Sequence, residues 1–218
     1  HWYREIAPGE QFTSVPVSVV CTKGDVRDAA VQLNEYRRRI RRENEDNRTM
    51  PVIYNDYMNC LWGKPTTEEE IPLIDMAADM GCEYYCIDCG WYSAGEWWSN
   101  VGEWLPSKER FPVTTKFPEG FTSLLKYIRA KGMVPGLWLE LEVMGLNCRL
   151  AGQKPDSWFF MRHGRRVREK SRYQLDFRNP QVRAFADEVI ARLVEEYGVG
   201  YIKMDYNIEP GIGTDYEA

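Results

Sequence analysis

Histidine is nearly missing from this chain: among 218 residues only His1 and His163 carry an imidazole. A Ser-His-Asp or Cys-His centre needs a partnered imidazole, and His163 lies in the charged run Arg162-His163-Gly164-Arg165-Arg166 with no partner nearby in sequence. It reads as a surface residue. With no ligand-spaced cluster around it, a zinc site is disfavoured as well. Long apolar runs are also lacking, and no segment approaches the roughly 20 residues of a membrane span. The opening His1-Trp2-Tyr3-Arg4-Glu5 has none of the basic, apolar and small-residue regions of a signal peptide. Because His1 is not an initiator, the chain is expected to be processed or cut from something longer. Positive charge is not in excess: a net charge of -5 and a pI near 5.3 give no reason to expect nucleic acid or an anionic membrane. The basic run Arg37 to Arg42 is followed at once by Glu43, Glu45 and Asp46, so it reads as a solvated helix face. No strand leads into Gly-x-Gly-x-x-Gly and no phosphate loop is present, so no nucleotide is expected.

Six cysteines (Cys21, Cys60, Cys82, Cys86, Cys89, Cys148) are too few for a disulfide scaffold at this length. Reduced thiols in a cytoplasmic protein are the simplest account. The spacing Cys82-x-x-x-Cys86-x-x-Cys89 matches the cluster ligands of radical S-adenosylmethionine enzymes. On a strand, however, Cys82 and Cys86 would share a face and Cys89 would point to the other, so the three cannot wrap one cluster.

What is present is an alternation. Residues 12–21 (FTSVPVSVVC) read as a strand, expected to be the tail of an upstream β-sandwich domain covering 1–24. A helix follows from about Asp25 to Arg42, inside a linker of residues 25–50. From residue 51 to 218 the pattern becomes regular. Strands are expected at Pro51–Asn55, Glu83–Asp88, Val134–Leu141 and Gly200–Asp205. Helices are expected from Thr66 to Gly81, about Gly120 to Lys131, and Val182 to Tyr197. This is the pattern of parallel βαβ units. Each strand ends in polar or aromatic residues, as in a (β/α)₈ barrel, whose strand ends open onto the active-site face. The expected fold is therefore α/β: the first half, about four βα units, of such a barrel.

The richest strand end is Tyr201-Ile202-Lys203-Met204-Asp205-Tyr206-Asn207. An acid held between Lys203 and Asn207 would stay ionised, which suits a nucleophile rather than a proton donor. Ile87-Asp88-Cys89-Gly90-Trp91 puts an acid beside an aromatic, and Gly136-Leu137-Trp138-Leu139-Glu140 adds another. Carboxylates accept from sugar hydroxyls, and indole faces cover the C–H faces of pyranose rings. Eight tryptophans, several at strand ends and loops, favour a carbohydrate pocket. Glu140 and Glu142, two apart on a strand, form a less favoured carboxylate pair. Asp176 reads as a brace for the following helix.

Six stretches together resemble the family 36 α-galactosidases, retaining glycoside hydrolases: PVIYND (51–56), CIDCGWY (86–92), VGEWLPSKERFP (101–112), KGMVPGLWLELEVM (131–144), RYQLDFRNPQVR (172–183) and YIKMDYN (201–207). The resemblance implies that Asp205 is the nucleophile, forming a covalent glycosyl-enzyme. It implies that Lys203 contacts sugar hydroxyls beside it, with Asn207 a nearby polar contact. Asp88 would bind the galactose hydroxyls at C4 and C6, Trp138 would form a subsite wall, and Arg172 would reach into the pocket. Asn55, Asp56, Trp91 and Glu140 are carried as pocket candidates.

Two departures stand out. Many members have a second acid after the one matching Asp88; here that position is Cys89, which weakens the expectation of a C6 contact. The acid/base aspartate comes from about the sixth strand in this family, and Ala218 lies just past the fourth. The fragment is therefore expected to carry half the active site, to be inactive alone, and to depend on the remaining barrel strands of its parent. No metal or organic cofactor is implied; the expected partner is an α-galactoside oligosaccharide. An α-galactosyl transferase, an α-N-acetylgalactosaminidase and a non-catalytic sugar-binding barrel remain as alternatives. The sequence is silent on oligomeric state and leaves a homo-oligomeric parent open.

Overall fold

Asp25 opens the first regular element. In the computed structural model, which describes residues 5–215, its carboxylate accepts from Arg27 N at 2.7 Å while Asp28 accepts from Asp25 N at 2.9 Å. This reciprocal cap starts α1 (Val26–Ile40). A single turn, α2 (Asp46–Thr49), follows, and the boundary between two units of the chain falls after Met50. The strand expected over residues 12–21 does not form; residues 11–22 have no regular structure. Its alternation is visible, with Val15, Val17 and Val19 all exposed. A strand exists only within a ladder, and these three valines enter none among the described residues. No residue of α1 is buried either, so its apolar stripe finds no core.

From Pro51 onward the βα alternation is regular. The chain runs through β1 (Ile53–Asn55), α3 (Thr67–Asp79), β2 (Tyr84–Ile87), α4 (Trp97–Asn100), α5 (Phe121–Ala130) and β3 (Val134–Leu139). It continues through β4 (Val143–Gly145), β5 (Met161–Arg162), β6 (Arg165–Arg166), β7 (Arg168–Glu169), β8 (Arg172–Gln174), α6 (Pro180–Ala191) and β9 (Tyr201–Met204). Strands β1, β2, β3 and β9 form one parallel sheet in chain order, with Ile53 opposite Tyr84, Tyr84 opposite Val134, and Gly136 opposite Tyr201. Helices α3, α5 and α6 make the three crossovers that parallel pairing requires. Thr66 caps α3 by accepting from Glu69 N, and Asn179 caps α6 by accepting from Gln181 N at 2.8 Å. Ile74 of α3, Leu124, Leu125 and Ile128 of α5, and Val189 of α6 are fully buried with Leu137 of β3 in one core.

Sequence periodicity does not signal the second, antiparallel sheet, in which β8 pairs with both β4 and β7, or the β5–β6 hairpin. His163 sits at the tip of that hairpin with a positive φ of 51°. Asp176 accepts from Arg178 through both carboxylate oxygens, bracing the turn before α6. Among the described residues no helix is long and apolar enough to cross a membrane, and all six cysteines are free thiols.

Candidate active site

All four parallel strands end on the same side, and Asn55, Asp88, Glu140 and Asp205 stand at or just past their last residues. The backbone turns sharply after Asp88. Gly90 has a φ of 93°, and a Cβ there would lie 2.0 Å from the Gly63 carbonyl, so only glycine fits. This close approach fixes the loop that carries Asp88 and Cys89.

Asp88 is nearly fully buried, and three donors meet its carboxylate. Lys203 Nζ lies 2.7 Å from Oδ2, Asn55 Nδ2 donates to the same oxygen at 2.6 Å, and Cys89 N donates to Oδ1 at 2.8 Å. A buried carboxylate survives only when paired and hydrogen-bonded in this way. Burial pulls the Lys203 ammonium down, but its bond and charge contact with Asp88 outweigh that and leave its pKa raised. The pair thus offers a fixed anion and a fixed cation side by side.

Asp205 lies one register step beyond β9. Burial pushes its carboxyl up, but Trp138 Nε1 at 2.9 Å and Asn207 Nδ2 at 3.0 Å, both on Oδ2, pull it down. Tyr206 N on Oδ1 at 2.9 Å and the charge of Lys203 act the same way, and the net result is a lowered pKa. Bonds to the charged form favour it.

Glu140 follows β3 and is completely buried; burial raises its pKa against the Asn207 N–H and the Arg172 charge. Asn207 N donates to its Oε1 at 2.6 Å, and Arg172 Nε lies 2.9 Å from its Oε2, close enough for an ion pair but not aligned as a hydrogen bond. The guanidinium also lies 5.2 Å from the Trp97 ring centre. Arg172, Asn207, Trp97, Trp98, Lys170 and Ser171 line an open cleft of about 540 Å³, within the size range of small-molecule sites.

A model of the melibiase family matches residues 12–211, nearly the whole chain. The chain belongs to the melibiase family. It is 28% identical over 206 residues to "Alpha-galactosidase 1" of Pediococcus pentosaceus, spanning 93% of this chain and 27% of that protein. Against "Alpha-galactosidase AgaA" of Geobacillus stearothermophilus the identity is 24% over 203 residues, again 93% and 27%. The chain thus spans about a quarter of the length of these relatives. Among solved structures, the GH36 α-galactosidase AgaB of Geobacillus stearothermophilus superposes with a TM-score of 0.69 at 23% identity, covering 84% of this chain and 25% of that one. An AgaA variant from the same organism, in complex with stachyose, gives the same TM-score and coverage at 22% identity. Likeness at that level speaks for the α/β fold.

The structure brings Asp205, Trp138 and Asn207 into one bonded cluster and Asp88, Lys203 and Asn55 into another. Arg172 and Asn207 link the first cluster to the cleft. Two of the tryptophans expected at the sugar subsite are buried. Trp91 is fully buried (0% exposed), stacks on Phe121 and donates to the Trp138 carbonyl, so it packs beneath the site. Trp138 is 1% exposed and meets Asp205 through its N–H, acting as a donor rather than an open wall. Cys89 is also buried at 2% exposure, and burial pushes its thiol pKa up, so it is a neutral apolar filler beside Gly63. Trp97 and Trp98, which sequence reasoning assigned to a carbohydrate pocket as part of an aromatic loop, line the cleft from the short helix α4. Sequence reasoning passed over Glu70, a completely buried acid that takes a 2.6 Å hydrogen bond from the Tyr85 hydroxyl.

Proposed function

We propose that the protein carrying this segment is a retaining α-galactosidase-like hydrolase with Asp205 as its nucleophile. The observation that carries the reading is the three-donor cradle around Asp205, which keeps the carboxylate ionised at the end of a parallel strand. Oδ2 takes two donors and Oδ1 takes one, which leaves Oδ1 the freer lone pair to attack an anomeric carbon. Attack there forms a glycosyl-aspartate ester as the glycosidic C–O bond breaks and the aglycone oxygen takes a proton. Water then releases the sugar and restores the carboxylate, so the anomeric configuration is retained.

The proton donor is expected on a later strand of the parent barrel, of which this segment supplies the first four βα units. Residues 12–21 would pair within an upstream β-sandwich. Asp88 and Lys203 form the polar end of the sugar subsite, the anion accepting from hydroxyls and the cation donating to them. Arg172, with a buried Nη2 that has no partner among the described residues, would add a donor from the cleft side. The relatives' solved complexes hold raffinose and stachyose, which makes terminal α-galactosides the substrate class to try first.

The test uses the full-length parent and 2-deoxy-2-fluoro-α-galactosyl fluoride, followed by peptide mass spectrometry. The expected result is a covalent label on Asp205. Turnover of an α-galactoside with the label elsewhere would overturn the assignment. Neither labelling nor turnover would redirect the reading to another sugar or to binding alone.

A further inference from the structure

Asp56 and Glu70 form a carboxyl pair sealed between β1, β2 and α3, with 1% and 0% of their surfaces exposed. Asp56 Oδ1 accepts from Asp88 N at 2.7 Å, and Glu70 Oε2 accepts from the Tyr85 hydroxyl at 2.6 Å. The other two oxygens, Asp56 Oδ2 and Glu70 Oε1, are buried and meet no donor from any other side chain. The two side chains are nevertheless within hydrogen-bonding reach of each other. Two carboxylates cannot bond to one another unless one carries a proton.

The donors and charges around the pair favour Glu70 as the bearer. Glu70 faces Asp56, Tyr85, Glu69 and Tyr54, with no cation among them, and burial followed by the Asp56 charge drives its pKa well up. Asp56 faces Tyr54, Cys86, Cys89 and the Asp88 carboxylate; burial lifts it to about 6, while Glu70, the Asp88 N–H and its own N–H hold it back. Lys203 is spent on Asp88.

We propose that Glu70 is a positioning residue: as a neutral acid it donates to Asp56, which thereby holds the Asp88 backbone N–H and, through it, the Asp88–Lys203 pair. Losing that proton would place two anions together with no cation, and Asp56 would turn away from the Asp88 amide. The kinetic consequences rest on the galactosidase reading above; the protonation state does not.

The test compares wild-type full-length protein with Glu70→Gln and Glu70→Leu on a chromogenic α-galactoside. Glutamine can donate to Asp56 and accept from Tyr85, so Glu70→Gln should keep kcat/KM within about threefold at neutral pH. It should also remove an ionisation from the alkaline limb of the rate profile. Glu70→Leu should raise KM by about tenfold or more, with a smaller effect on kcat. Should the leucine variant fail to fold, the glutamine variant and the infrared C=O stretch of a protonated carboxyl decide. That band is expected in wild type and absent in Glu70→Gln. An unchanged band, or superimposable pH profiles, would overturn the inference. A wild type that hydrolyses no α-galactoside would instead sink the functional reading, leaving the band to judge the pair.

Discussion

Asp205 and Glu70 are acids of one sheet and its helices held in opposite states. Asp205 stands at the end of β9 with three donors on its carboxylate, and its pKa falls despite burial. Glu70 lies in the first turn of α3 with one hydroxyl and one carboxylate for company, and burial raises it. Burial pushes both groups the same way. The number of donors decides the sign, and the sign decides what each acid can do. A nucleophile must be charged; a buried acid with no cation and few donors is held neutral.

The largest test of this contrast is Asp205→Asn in the full-length parent protein. The amide keeps the shape and can still accept from Trp138 or Asn207, but it cannot form the ester. Loss of a nucleophile costs on the order of 10⁴-fold or more in kcat, with little change in thermal stability expected because Asp205 is only half-buried. A variant with near-normal turnover would transfer the nucleophile to another residue and leave Asp205 as a binding group.

A smaller effect is expected from Trp138→Phe, which keeps an aromatic ring but removes the N–H on Asp205 Oδ2. One donor fewer means a less favoured carboxylate, so the Asp205 pKa should rise. Activity needs the ionised form and is lost as pH falls through that pKa. The acidic limb of kcat/KM should therefore move to higher pH, with a loss of about tenfold at its plateau. An acidic limb that stays in place while the plateau falls would mean that Trp138 serves packing alone.

The contrast also separates what was legible in the sequence from what was not. The placement of Asp205, Lys203 and Asp88 at strand ends could be read because a strand end announces itself locally: an apolar run stops and charges follow. The βα alternation could be read for the same reason, and the helix start at Thr66 carries its own cap; the last helix, expected from Val182, starts two residues earlier behind an Asn179 cap. Glu70 could not. In Glu68-Glu69-Glu70 all three acids look like first-turn residues favoured by the helix dipole, and only the fold shows that the third turns inward to Tyr85. Trp91 misled in the opposite direction, since its position after a strand fits the pocket and the core equally well. Strands β4 and β8 escaped because each is three residues long and the two lie about thirty residues apart, too far for periodicity to register. Residues 12–21 carry a strand pattern without the neighbour that would make it a strand.

The smallest effect expected, and the one that isolates Glu70 from catalysis, is on stability. Its native pKa lies above the ordinary 4.5, so the folded state holds a proton that the unfolded chain releases. Such a group contributes fully to stability at low pH, and that contribution drains away as pH rises from about the ordinary value towards the native one. Asp56, raised from 3.8 to about 6, follows the same sign between those values. Glutamine does not titrate, so Glu70→Gln escapes the loss at that position. The difference in Tm, variant minus wild type, should therefore grow more positive by a few degrees as pH increases from about 5 to about 8. Thermal melts across that range read it directly. Parallel curves would mean that Glu70 is already ionised in the folded protein. A cation or water would then have to satisfy the two buried oxygens that lack a donor, and the opposition between Asp205 and Glu70 would be one of surroundings rather than of charge.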